Sequence, residues 1–340
     1  GGIHMKTRQI IFPRPYEAEL IETECRKPGA GEVTVELAYS AVSAGTERAN
    51  LIGDKNVSGG SDIVAPFPRS LGYSAAGIVA AVGEGVSVNV GDRVIVYGGK
   101  HMARITVRER SSIVKLDDDI PLSEASLMYI ATFPLAAVRK TRLELGEAAM
   151  VMGLGILGQF AVQLCKAAGG CPVIAADPKP ERRALAEKLG ADCALDPTAP
   201  DFPERVFDAA PGRINAAIEV TGRGEGFIET LDCMARFGRI ALLGCTRDPN
   251  FTVDYYKKIH YPGITVIGAH TQARPSEESY PGYWTHRDDI AALLRLRKGG
   301  RLNFAQMINE IHPPENAPEV YRRLAENRDF PIGLLFDWTK

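Results

Sequence analysis

The 340-residue sequence predicts an α/β fold, a doubly wound parallel sheet joined to a β-rich region. Three observations predict it. Residues 148–271 alternate short apolar runs with helix-like segments, the rhythm of parallel strands connected by helical crossovers. The run at 148–152 is apolar without interruption, as in a strand covered on both faces. Residues 5–125, by contrast, carry short β-type stretches separated by glycine-containing turns.

Taken in order, residues 33–38 alternate apolar and polar, and residues 71–82 form a glycine-punctuated apolar stretch. Arg93–Tyr97 follows a turn at Gly91 and Asp92. Residues 53–68 are polar and rich in Gly, Ser and Pro, which predicts a mobile loop over a cleft. Residues 121–142 read as two helices leading into the 148–152 strand. Further strands are expected at 172–176, Cys193–Leu195, 216–220, 239–243 and 264–267, with helix-like segments such as 180–189 and 225–235 between most of them. Six parallel strands in this rhythm make a Rossmann-type sheet. A loop with Tyr280, Tyr283 and Trp284 comes next; helices near 287–297 and Ala317–Glu326 and a strand near 332–336 complete the chain.

The 148–152 strand runs into Gly153, Gly155 and Gly158, at G-x-G-x-x-G spacing. Apolar residues then recur at Leu157, Phe160, Ala161, Leu164, Cys165 and Ala168, one face of a helix. Asp177 closes the next strand, 19 residues after Gly158. Strand, glycine loop, helix and acid in this order are the context of a dinucleotide site. Gly153 permits the tight turn, Gly155 lets backbone approach a pyrophosphate, and Gly158 lets helix and strand pack closely. Ile156 and Leu157 open the helix, whose free N–H groups face phosphate. Asp177 can accept from an adenosine ribose and would repel a 2′-phosphate, which favours NAD over NADP. The cluster of Lys179, Arg182 and Arg183 is the one hint of NADP tolerance, and Arg182 is expected to support the ribose. Strand ends at Thr221, Leu243, Gly244, Ala269 and Thr271 should complete the cofactor site, because ligands bind beyond the carboxyl ends of such strands.

Composition sets outer limits. A net charge of −2 gives no reason to expect nucleic acid or membrane partners. No apolar run approaches the ~20 residues that span a bilayer, and no secretory signal is recognised ahead of the first strand. Residues 1–4 read as foreign to the native chain, with Met5 the expected start. Cys25, Cys165, Cys171, Cys193, Cys233 and Cys245 include no C-x-x-C pair, so a reduced, cytoplasmic protein is expected.

Three ordered blocks resemble the medium-chain dehydrogenase/reductase superfamily, the alcohol dehydrogenase-like proteins, over essentially the whole chain. One is Ser43-Ala44-Gly45-Thr46-Glu47. Another runs from Leu71-Gly72-Tyr73-Ser74 through Val82-Gly83 to Gly91-Asp92-Arg93-Val94, and the third is the glycine loop. The resemblance implies a GroES-like catalytic domain in two parts, 5–129 and 272–340, around a Rossmann domain at 130–271, with the active site in the cleft between them. It also implies a homodimer through the last Rossmann strand at 264–267, with a tetramer as the larger alternative.

The departures from the family pattern bear on chemistry. Zinc-using members carry Cys-Gly-Thr-Asp where this chain has Ala44-Gly45-Thr46-Glu47, and Gly-His-Glu where it has Gly72-Tyr73-Ser74. The third ligand position falls near Met128. Ala, Tyr and Met do not make the N/S/O site that zinc requires, and the four-cysteine structural lobe is absent, so no metal is expected. A protein group must then stabilise the developing alkoxide and move a proton. Thr46 matches the relatives' relay hydroxyl, and Tyr73 replaces a ligand histidine. Tyr73 is therefore the candidate acid/base or hydrogen-bond donor, with Thr46 its relay; the bland alternative is that Tyr73 only fills the vacated space. A base at neutral pH would need a nearby cation such as Lys100 or His101. Met128, His101, His270 and Trp284 are candidate pocket residues, with a structural role the first reading of His101, and Trp284 and Tyr283 serve equally as a pocket wall or a subunit contact. Glu47 is expected to order the Thr46 loop.

These readings predict an NAD-dependent, metal-independent oxidoreductase for a secondary alcohol/ketone pair on a polyol, sugar derivative or similar small substrate. The competing readings are an NADPH-dependent quinone or enoyl reductase, as in many zinc-less relatives, and a non-catalytic NAD(H)-binding sensor or structural protein.

Overall fold

The computed structural model describes residues 4–57, 64–117, 119–246, 248–326 and 329–340. The loop expected at 53–68 falls partly outside the described residues. Contacts divide the chain into two compact units, one of residues 1–130 and 304–340, the other of residues 131–303.

The second unit holds six parallel strands in the spatial order Cys193–Leu195, Val173–Ala176, Ala149–Met152, Ile214–Glu219, Met234–Leu242, Thr265–Gly268. Numbered along the chain this is 3-2-1-4-5-6, the order of doubly wound dinucleotide folds. The central strands Ala149–Met152 and Val173–Ala176 are buried at every residue, as their unbroken apolar sequence requires. Ile156–Ala167, Pro180–Lys188, Phe202–Ala209 and Gly224–Asp232 are the crossover helices. The strand expected at 239–243 begins earlier, at Met234, because its first residues include the polar and exposed Arg236 and Phe237, which carry no buried-strand signal.

The contact boundary falls at 303/304, whereas the sequence placed the return at 272. A buried carboxylate is among the contacts that hold residues 272–303 in the second unit. Asp289, on the helix His286–Lys298, receives Arg139 Nε at 2.9 Å and Arg274 NH1 at 3.0 Å. Arg274 also donates to the Thr132 carbonyl at 2.6 Å. These bonds tie the segment after the last parallel strand to the helix Met128–Thr141.

The first unit is built on a seven-stranded sheet. Its path runs Glu310–His312, Leu334–Asp337, Glu32–Ala41, Ser74–Val82, Arg93–Tyr97, Ile113–Lys115, and Arg104–Arg108 also pairs with Glu32–Ala41. Met5–Ile11 and Glu19–Cys25 form a separate antiparallel pair. The C-terminal segment completes this unit by threading a strand beside Glu32–Ala41 and laying Ala317–Glu326 over the core. That helix buries Ala317, Val320, Tyr321 and Leu324, the i, i+3, i+4, i+7 stripe of an amphipathic helix. Tyr321 packs edge-on against Phe12 with ring centroids 4.8 Å apart.

Replacing Asp289 by Ala should lower the stability of the second unit by about 3–5 kcal/mol, because it strands Arg274, whose side chain is 3% exposed, without its anion. Denaturant unfolding measures this; a loss below about 1 kcal/mol would mean the two arginines find other partners.

Candidate functional site

In the second unit, the glycine loop has the geometry its spacing predicts. Gly153 sits at φ +96°, a left-handed conformation. A Cβ on Gly158 would lie 1.8 Å from the Gly153 carbonyl oxygen, whereas one on Gly155 would meet nothing within 4 Å. One glycine is needed for the turn, one for packing, and one leaves open space where a ligand can approach. Gly155 is also the N-cap of Ile156–Ala167 and provides no capping side chain. The N–H groups of Ile156, Leu157 and Gly158 therefore open the helix uncapped by a side chain, as anion binding requires.

Asp177 stands beside this loop. Its Oδ2 accepts from Leu154 N–H at 2.9 Å and its Oδ1 from Lys179 N–H at 2.8 Å. Each oxygen keeps capacity for one more donor. Arg182 NH1 lies 3.6 Å from Asp177, while Arg183 donates to the carbonyls of Asp177 and Pro178 at 2.9 Å. The neighbouring strand ends converge here. A Cβ on Gly153 would meet Thr221 N at 3.2 Å, and one on Gly244 would meet Gly222 N at 2.5 Å. Buried Glu219, which carried no signal in the sequence, shapes this turn: it accepts from the Thr221 hydroxyl, from Thr221 N–H at 2.9 Å and from Gly222 N–H at 3.1 Å. Burial pushes its carboxyl above the usual range. Leu243 is buried, and Ala269 N–H donates to the Leu242 carbonyl at 3.0 Å.

Thr271 has a buried hydroxyl with no hydrogen-bond partner among the described residues. Against the same segment lies His286, whose Nδ1 is 2.9 Å from Thr132 Oγ1. Burial, reinforced by Arg274, brings its pKa down to about 3, although a hydrogen bond to the Thr271 backbone works the other way. His270 is exposed, and its Nδ1 accepts from Gln272 N–H at 3.1 Å. Trp284 carries the Arg139 guanidinium 3.6 Å from its ring centroid, and Tyr283 stacks on Tyr280. These two aromatics are engaged within the second unit.

In the first unit, Tyr73 and Thr46 meet as expected. The Tyr73 hydroxyl donates to Thr46 Oγ1 at 3.4 Å and is also hydrogen-bonded to Ser43 Oγ. Ser43 is the N-cap of the helix Ala44–Leu51, which puts two hydroxyls from the helix start on one phenol. The N-cap position before Thr46 is the signal that could have found it. Burial raises the Tyr73 phenol well above its ordinary value, and the nearby Glu47 carboxylate pushes the same way, against the two hydroxyl contacts. At neutral pH the phenol therefore carries its proton. Its ring meets Tyr129 edge-on at 5.5 Å, and Tyr129 stacks on Tyr97.

Glu47 orders this helix end, accepting from Ser43 N–H at 2.8 Å, and pairs with His101 Nε2 at 2.5 Å. His101 is 1% exposed, and its Nδ1 is 2.7 Å from Ser40 Oγ. Both ring nitrogens are engaged inside the core, an arrangement that suits the structural reading of His101 over the pocket one. Met128 is also fully buried.

Comparison with known proteins adds two family descriptions. "Alcohol dehydrogenase GroES-like domain" matches residues 29–114, and "Zinc-binding dehydrogenase" matches residues 157–286. (R,R)-butanediol dehydrogenase of Bacillus subtilis is 30% identical over 270 residues, covering 72% of this chain and 73% of that protein. D-guloside 3-dehydrogenase of Escherichia coli is 25% identical over 352 residues, covering 97% of this chain and 100% of that protein. The crystal structure of the B. subtilis 2R,3R-butanediol dehydrogenase superposes with a TM-score of 0.81 at 22% identity, over 97% of this chain and 99% of that one.

The second description implies zinc. At the expected ligand positions, Ala44 has no lone pair, the Tyr73 hydroxyl is held by Ser43 and Thr46, and the Met128 thioether is buried. Among the described residues no group of three or more His, Cys, Asp and Glu side chains could hold a metal. These residues do not fit a zinc ion.

His286 is neutral in the fold and takes up a proton in the unfolded chain near pH 6.5, the ordinary value for histidine. The unfolded state then binds the extra proton, so stability falls as pH drops from about 6.5 towards 3. Thermal midpoints should decline across that window, and His286→Phe should flatten the decline; an equal slope in the variant would assign it to other groups.

Proposed function

The chain belongs to the alcohol dehydrogenase-like, medium-chain dehydrogenase/reductase superfamily, and from that premise we propose an NAD-dependent, metal-independent oxidoreductase. Its substrate in this reading is a secondary alcohol/ketone pair on a polyol, sugar derivative or similar small hydroxylated molecule. The observation that carries the reading is the joining of Asp177 to the glycine loop through Leu154 N–H, which sets an acid beside a site shaped for a dinucleotide. An acid there favours a free ribose 2′-hydroxyl over a 2′-phosphate. The names of the butanediol and guloside dehydrogenases support the substrate class.

The glycine loop and Asp177 would hold the dinucleotide, whose chemistry would be to supply or accept a hydride at the carbinol carbon. Tyr73 donates its phenolic proton to the substrate oxygen as that oxygen gains negative charge, Ser43 and Thr46 hold the phenol in position, and partly exposed Thr46 relays a replacement proton taken from water. No Lewis acid enters this scheme.

We also propose a homodimer through Thr265–Gly268. Among the described residues that strand has one neighbour in the sheet, and Val266 is 39% exposed. Phe237 and Tyr261 lie nearby in sequence and pairing, both largely exposed, with Arg236 over each ring.

Nicotinamide absorbance with NAD(H) and NADP(H) against polyols, sugars, ketones, quinones and enones tests the function, with metal content measured on the same protein. Turnover of an alcohol/ketone pair with NAD(H) is expected. Enone reduction with NADPH, cofactor binding without turnover, or stoichiometric zinc whose removal abolishes activity would each overturn the reading. Tyr73→Phe should reduce kcat by about 10²-fold or more with its circular dichroism unchanged, and near-normal turnover would leave Tyr73 a space-filler. Light scattering should find a dimer, and Phe237→Glu with Val266→Lys should yield folded monomer; an unchanged mass would place the interface elsewhere.

A further inference from the structure

A cavity of about 640 Å³ lies within the second unit where three helices end, Met128–Thr141, Ile156–Ala167 and His286–Lys298. Its floor is apolar, formed by Leu135, Val138, Leu143, Leu164 and Leu296. Its size falls within the range of pockets that bury small molecules. It is remote from the glycine loop. Ile156–Ala167 starts at that loop, and its 12 residues carry the chain about 18 Å before reaching the cavity.

Three arginines stand around this floor, Arg142, Arg295 and Arg301, all exposed. None makes a side-chain hydrogen bond or ion pair among the described residues. Arg139, which also lines the cavity, is different, because Asp289 neutralises it. Helix C-termini attract cations, which accounts for part of the arginine charge. Each terminus carries only about half a negative charge, however, against one full positive charge on each guanidinium. The rim keeps an excess of positive charge over an apolar floor.

We propose that this cavity binds an anionic amphiphile, with a carboxylate or phosphate head on the guanidiniums and an apolar tail over the leucines. Arginine forks suit either head group, since both accept two parallel N–H donors. The tail removes leucine surface from water, so affinity depends on its length.

Calorimetry on the full chain with octanoate, decanoate and decyl phosphate, all below their micellar concentrations, tests the proposal. One saturable site is expected, tightening by about fourfold per added methylene. Comparing decanoate with decyl phosphate identifies the preferred head. Arg295→Glu with Arg301→Glu should weaken binding at least about tenfold, as should Arg142→Ala to a smaller degree, with the fold intact by circular dichroism. Decyltrimethylammonium should not bind. The proposal is overturned by absence of a saturable site, by equal affinity for the cationic amphiphile, or by unchanged affinity in the charge-reversed variant. A shift in oligomeric mass in that variant would instead assign this face to a second copy of the chain and equally overturn it.

Discussion

The space left by one missing methyl group governs the parallel-sheet unit. Ile156–Ala167 crosses its own strand so closely that the Gly153 carbonyl oxygen occupies the place of a Gly158 Cβ, 1.8 Å away. That closeness sets where the loop lies, and the loop sets the rest. Gly153 N–H reaches the Ala176 carbonyl at 2.8 Å, Leu154 N–H reaches Asp177, and Thr221 rests against Gly153. Three strand ends are thus registered on one turn, and Glu219 holds the third of them from beneath. The helix start remains available because no side chain caps it.

The β-rich unit depends on a buried polar chain instead. Trp338 Nε1 donates to Ser40 Oγ at 2.8 Å, Ser40 meets His101 Nδ1, and His101 Nε2 meets Glu47. With the indole proton accepted, the Ser40 hydroxyl can donate to Nδ1, which leaves Nε2 to carry the proton that faces the carboxylate. Every member is satisfied, the condition under which a buried network rigidifies instead of destabilising. Glu47 then fixes the helix start that carries Ser43 and Thr46. The last strand and the hydroxyl pair are linked in this way although nearly 300 residues separate Trp338 from Ser40 in the chain.

The parallel sheet was legible because a strand buried on both faces must be an apolar run, and because the glycine spacing has a steric origin that no other residue satisfies. Met5–Ile11 and Glu19–Cys25 were not individually legible: with Lys6, Arg8, Glu22 and Glu24 along them, they carry no strong buried-strand pattern. Tyr73 and Thr46 could be paired from the sequence because each stood in a block of known spacing. Ser43 and Glu219 were missed, since a hydroxyl at a helix start and an acid at a strand end announce nothing until their partners are placed. Asp289 reads as an ordinary charge in a first helical turn, where acids are common. Only folding brings Arg139 to it from 150 positions away. The partners of His101 were illegible for the complementary reason, since Ser40 and Glu47 are remote from it in sequence.

In the proposed reaction, Ala44, Tyr73 and Met128 at the relatives' metal-ligand positions would change which half of a reversible reaction the residues assist. Zinc stabilises an alkoxide from either direction and makes a bound alcohol easier to deprotonate. A buried phenol does not. Burial and the Glu47 carboxylate both disfavour the Tyr73 phenolate, and the hydroxyls of Ser43 and Thr46 offset them only in part. The protonated phenol is therefore the resting form at neutral pH, and in the proposed reaction it would donate to a carbonyl oxygen as hydride arrives. Alcohol oxidation would need the phenolate first, a state that this surrounding holds at low population. Under the proposed mechanism the hydroxyl chain would favour ketone reduction near neutrality and oxidation only as pH rises, a directional bias that would come from the residues themselves and not from the substrate's identity.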